Sequence, residues 1–178
     1  IWIERNAPSR EEMLKHRNPW KSNMHKPTLA QHAALIVTYN EGDAEWLREG
    51  FYYLQAFVNK YLNHHRHKAT GLMYWETDEA IGVDNDPSTY YRPYGSSGSI
   101  FLNALMYKEL LAMVYLADRL SLPDIATFYQ RAADQLKAAI REHCWDPRDG
   151  FYYSVDLNLR PVEKPAIDGL EPGQLFFH

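Results

Sequence analysis

The chain is 178 residues long, 46% hydrophobic and 14% aromatic, with a net charge of −4. That length supports a buried core, and charges of both signs, interspersed, leave neither the basic stripe that nucleic acid needs nor a polybasic membrane patch. The single cysteine, Cys144, rules out an internal disulfide, and no apolar run approaches the ~20 residues of a membrane span. The start at Ile1-Trp2-Ile3 and the stop at Leu175-Phe176-Phe177-His178 both read as cuts inside a larger protein. A processed N-terminus would look the same. The compartment stays open; a periplasmic or secreted location would follow if a leader had been removed.

Taken in order, Ser9-Arg10-Glu11-Glu12 resembles a cap with an acidic first turn and predicts a short helix from Ser9 to His16, ended by Asn18-Pro19. Pro27 starts the next helix, where its missing N–H costs nothing. Leu29, Ala30, Ala33, Ala34, Ile36 and Val37 make that helix apolar nearly all round, which predicts burial. Glu41-Gly42-Asp43 is a turn, with Asp43 the next cap. Leu47, Phe51, Leu54, Val58 and Tyr61 then fall at helical spacing between Ala44 and about His65. The cationic run His64 to Lys68 suits the negative end of that helix and lacks the spacing of a metal site.

Ile100 to Leu120 is the strongest helical pattern, and Met106 and Met113 read as core fillers. Pro123 restarts the chain, and Ile125, Tyr129, Ala132, Ala133, Leu136 and Ile140 define one more amphipathic helix. Asp149-Gly150 predicts a turn before a short extended piece, and the Pro- and Gly-rich tail reads as loop. The expected class is all-α, built from antiparallel helical hairpins, with 1–178 as a single unit. No short-period repeat is present.

One stretch, from Tyr74 to Tyr94, is neither helix nor strand. It packs five carboxylates, four tyrosines, Trp75 and Arg92 between two helices. Loops this long are usually functional when they are not disordered, and the aromatic content argues against disorder. Acids beside flat rings suit carbohydrate chemistry: the acids move protons at a glycosidic oxygen and the rings stack on sugar faces. Asp84, Asp86 and Ser88 alternate as calcium ligands do, but the EF-hand reading fails because Thr89 stands at its glycine position and Gly95 at its closing glutamate. No metal site is expected.

Trp75-Glu76 followed by Gly82-Val83-Asp84-Asn85-Asp86-Pro87 resembles the acidic signature of glycoside hydrolase family 63 and its mannosylglycerate-hydrolase-like relatives, with Asp78 to Ile81 inserted. Trehalases and glucoamylases are more distant neighbours. Met24 to Ala30 resembles the family segment that opens a barrel helix and lines the sugar pocket. Ser99 to Lys108 and the turn from Trp145 to Tyr152 also resemble family elements.

The resemblance implies part of an (α/α)6 barrel and an inverting hydrolase of α-linked glucosides or mannosides that needs no cofactor. Asp84 matches the general acid, which must stay protonated; Asp86 and Asp78 could supply the neighbouring charge that achieves this. Trp75, Asp86, Tyr91, Arg92, Trp20 and Lys26 are the candidate substrate-binding residues. Arg92 could instead pair with Asp84 or Asp86. The family's base is a downstream glutamate, and neither Glu163 nor Glu171 sits in a matching context, so the base is expected outside this chain. The expected partners are an oligosaccharide or glycoside and the remainder of the barrel. A trehalase- or glucoamylase-like activity is the alternative among enzymes; a non-catalytic module binding carbohydrate or protein is the alternative outside them.

Overall fold

The computed structural model describes residues 24–76, 86, 88–89, 92–93 and 95–157. The expected helix at Ser9–His16 and the tail lie outside them. Four α-helices carry the described structure: α1 (Leu29–Tyr39), α2 (Phe51–His64), α3 (Ile100–Arg119) and α4 (Pro123–His143). Four two-residue strands follow the same chain order: β1 (Ser97–Gly98), β2 (Trp145–Asp146), β3 (Phe151–Tyr152) and β4 (Val155–Asp156). β1 pairs antiparallel with β4, and β2 with β3.

The helices alternate in direction. Near one end, Arg48, just before α2, donates to the Leu120 carbonyl after α3 at 3.3 Å. Along the stack, Thr38 of α1 meets Tyr115 of α3 at 3.4 Å, and Gln31 meets the Leu105 carbonyl at 3.2 Å. Tyr129 of α4 donates to Asn59 of α2 at 3.1 Å, and Arg66 reaches Gln135 at 3.3 Å. So α1 and α3 run parallel, α2 and α4 run the opposite way, and consecutive helices form antiparallel hairpins. The all-α expectation holds. The two helix–helix turns lie at one end. The segment before α1, the stretch between α2 and α3, and the hairpin after α4 lie at the other.

Each helix start has its own cause. Pro123 opens α4 at its first turn. Ser99 caps α3 by accepting from the Leu102 amide. At α1 the N-cap Thr28 makes no side-chain cap bond. Glu109, from the middle of α3, substitutes for it: Oε1 accepts from the Ala30 amide at 2.7 Å, and Oε2 from the Gln31 amide and side chain at 3.2 Å each. The second helix begins later than its spacing predicts. Asp43 accepts from the Glu45 amide at 2.9 Å and starts a 3-10 turn, Glu45–Leu47, and α2 opens only after Gly50. Glycine's poor helix propensity explains the break.

The core gathers on α3, whose Leu102, Met106, Leu110, Met113 and Leu116 are all fully buried. By length and composition this helix is also apolar enough to cross a membrane, contrary to the reading of the sequence. It packs against α1 and α4, and it buries Asn103 and Glu109 with polar partners on neighbouring segments. The all-round apolar character of α1 resolves differently from expectation: Ala30, Ala33 and Val37 are buried, whereas Leu29, Leu35, Ile36 and Tyr39 are exposed. Burial pushes the Cys144 thiol up to about 12, so it stays protonated and inert at neutral pH.

Gly98 ties β1 to the core. A Cβ there would stand 3.0 Å from atoms of Leu72, Val155 and Leu157 at once. Gly98→Ala is expected to lower stability by about 1–3 kcal/mol through overpacking; urea unfolding checks it, and an unchanged midpoint would contradict the close approach.

Candidate functional site

Three chain segments lie at the second end of the helices, and named side chains hold the first two together there. The first is Met24–Thr28, which contains Lys26. The second starts at Met73. Asn103, fully buried on α3, copies a strand partner for it: its Oδ1 accepts from the Met73 amide at 2.7 Å, and its Nδ2 donates to the Met73 carbonyl at 3.0 Å. The Tyr74 amide donates to the His65 carbonyl at 2.9 Å.

Tyr61, on the last turn of α2, joins these two segments. Its hydroxyl donates to the His25 carbonyl and accepts from the indole N–H of Trp75 at 2.9 Å. Burial holds the Tyr61 phenol well above its ordinary pKa, with the indole N–H opposing, so it remains a neutral bridge. Trp75 is 3% exposed and lies against Phe101, ring centroids 6.2 Å apart. Its ring offers no open stacking face among the described residues. Lys26 is half-buried between His25 and Pro27, whose carbonyl accepts from Gln31 at 2.8 Å.

The acidic stretch closes on itself. The Gly95 amide donates to the Glu76 carbonyl at 3.2 Å, so the two ends of an 18-residue excursion, 77–94, touch. Gly95 has φ +64, and Tyr74 lies 3.2 Å from where a Cβ would stand; both demand glycine. Inside the excursion Asp86 builds a turn. Its Oδ1 accepts from the Ser88 amide at 2.8 Å, and its carbonyl accepts from the Thr89 amide at 3.0 Å. Arg92 forms an ion pair with Asp156 of β4. The sequence points to Asp84, Asp86 or substrate as its partners; this pair instead reaches a strand 64 residues away. Burial holds the guanidinium below its ordinary pKa, and it stays charged at any neutral pH.

The third segment is the β2–β3 hairpin. Arg148 grips the Asp146 carboxylate through Nε and Nη2, the latter at 2.6 Å, and holds its pKa at about 2. Gly150, at φ +63, turns the chain where Asp149-Gly150 predicts it.

Lys26, Trp75, Asp86 and Arg92 therefore share one end of the fold. Asp84, Tyr91 and Trp20 lie outside the described residues, as do Asp78, Glu163 and Glu171. Reading the sequence missed Tyr61, Asn103, Glu109 and Asp156 as organisers of the site. Asn103 and Glu109 carried a signal, a polar residue within the most apolar helix. Tyr61 and Asp156 carried none.

Among solved structures, a sialidase superposes with a TM-score of 0.56 over 67% of this chain at 22% identity, a likeness of fold. Among curated proteins, an uncharacterized protein of Borreliella burgdorferi is 32% identical over 73 residues, which is 41% of this chain. The matched parts amount to 15% of the Borreliella protein and 11% of the sialidase. The model of the mannosylglycerate hydrolase MGH1-like glycoside hydrolase domain matches residues 3–174. Its match runs from before the Lys26 segment, through the acidic stretch, to beyond β4, and the chain belongs to that glycoside hydrolase family.

Proposed function

We propose that this chain is part of an (α/α)6 catalytic barrel that hydrolyses α-linked glucosides or mannosides with inversion. Asp84 is the general acid, protonating the glycosidic oxygen. A carboxylate elsewhere in the barrel, outside these 178 residues, activates water from the opposite face, roughly 6.5–9.5 Å from the acid. Lys26, Asp86, Tyr91, Arg92 and Trp20 remain the candidates for the pocket around the substrate, with Arg92 and Asp86 also bracing the loop. Trp75 serves as a buttress behind the pocket wall.

The observation that carries this reading is the gathering at one end of the helices of the Lys26 segment and both ends of the acidic stretch, in a chain of glycoside hydrolase ancestry. The alternation of directions adds support: parallel α1 and α3, with α2 and α4 reversed, is the arrangement two successive hairpins of such a barrel require. The exposed side of α1 supplies an apolar face for the rest of the barrel.

The test is stereochemical. In the intact enzyme, an aryl α-glucoside and an aryl α-mannoside are followed by proton NMR from mixing. Inversion releases the β-anomer first, and mutarotation then fills in the α-anomer. The α-anomer appearing first, or no hydrolysis of either substrate, would contradict the proposal.

A further inference from the structure

We infer that Asp156 is a positioning residue for the proposed acid: through Arg92 it fixes the turn that follows Asp84. The inference rests on the catalytic reading above and adds to it a residue 72 positions away in sequence.

The geometry begins in the core. Val155 and Leu157 are buried, and both pack near Leu72 and Gly98. Strand residues alternate sides, so Asp156, between them, is directed away from that cluster. Its backbone has little freedom. Asp156 stands opposite Ser97 in the β1–β4 pair, and the Leu157 amide donates to the Ser96 carbonyl at 2.6 Å. The carboxylate is thus presented from a fixed strand, and Arg92 meets it with both side chains about one-fifth exposed.

From Arg92 the bonding runs backwards along the loop. The Arg92 amide donates to the Thr89 carbonyl at 3.1 Å, the Thr89 amide to the Asp86 carbonyl at 3.0 Å, and the Ser88 amide to Asp86 Oδ1 at 2.8 Å. Asp86 is two residues from Asp84. A tethered ion pair at one end of a short bonded turn sets where the other end can stand. A half-buried pair does this better than a surface pair, because solvent and salt screen it less. Catalysis is sensitive to such placement: a shift of about 1 Å in a reacting group costs on the order of 100-fold.

A positioning role for the acid has a signature that general support of the fold lacks. It matters only when the leaving group needs a proton. A glycosyl fluoride departs without protonation; an alkyl glycoside does not. In the intact enzyme, Asp156→Asn is expected to lower kcat on the alkyl α-glycoside by about 10–100-fold, to leave KM within about threefold, and to leave kcat on the fluoride within about threefold. The exchange Arg92→Asp with Asp156→Arg is expected to regain at least about tenfold of the loss on the glycoside. If Asp156→Asn does not fold, as judged by circular dichroism, Asp156→Glu, which keeps the charge but moves it by one methylene, carries the test, with the same selective pattern at smaller size. Equal losses on both substrates, or none on the glycoside, would overturn the inference. Asp84→Asn run alongside separates the two claims. If that variant retains turnover, the catalytic reading fails; if it loses turnover while the Asp156 variants do not, only the positioning role fails.

Discussion

Replacing Asp84 by asparagine in the intact enzyme is expected to lower kcat on an alkyl α-glycoside by about 10²–10⁴-fold, the usual contribution of a positioned proton donor. Asparagine keeps the shape of the side chain and can still hydrogen-bond to the glycosidic oxygen, but it has no proton to give. KM should change little, because the loss belongs to the transition state. Melting temperature should change little as well, which separates the effect from damage to the loop. A variant with turnover near the parent's would refute the assignment.

The second large effect concerns stability. Glu109→Ala is expected to cost about 3–5 kcal/mol, because the Ala30 and Gln31 amides at the start of α1 lose their acceptor inside the protein. Glu109→Gln should cost less, since its carbonyl oxygen can still accept. The two variants also differ in pH dependence. Burial raises the Glu109 pKa above its ordinary value, and the Ala30 and Gln31 N–H donors pull the other way without winning. A carboxyl with a raised folded-state pKa binds its proton more tightly when folded. Its stabilising contribution is therefore complete below the unfolded pKa, near 4.5, and is lost as pH rises through the folded value. Glu109→Gln should flatten that part of the stability-versus-pH curve, measured by urea unfolding at several pH values. A curve parallel to the parent's would show that Glu109 does not titrate there.

Both predictions bear on what the sequence made legible. The four described helices were visible because apolar spacing reports on a helix face locally. Pro123 marked the start of α4. The acidic stretch stood out because its composition fits neither a helix nor a strand. Contacts between distant residues were not legible. Glu109 capping α1 spans 79 residues of sequence, Arg92 meeting Asp156 spans 64, and Asn103 bonding Met73 spans 30. No local pattern encodes such pairings, since each depends on how the helices stack. The late start of α2 has a local cause, a glycine one residue before Phe51. The exposed half of α1 misled for a related reason: an all-round apolar helix announces that it will be covered, without naming the partner.

Trp75 shows the same limit at the site itself. A tryptophan beside acids suits a sugar platform, but its N–H is held by Tyr61 and its ring lies against Phe101. Both contacts hold the indole in place, one of them from a tyrosine fourteen residues earlier.

The central claim is that one aspartate supplies the proton that frees the sugar's leaving group. It is tested most directly by giving the Asp84→Asn enzyme two substrates, an alkyl α-glycoside and the matching α-glycosyl fluoride. The account predicts a loss of about 10²–10⁴-fold in kcat on the glycoside and near-parent turnover of the fluoride. Losses of equal size on both substrates would contradict it.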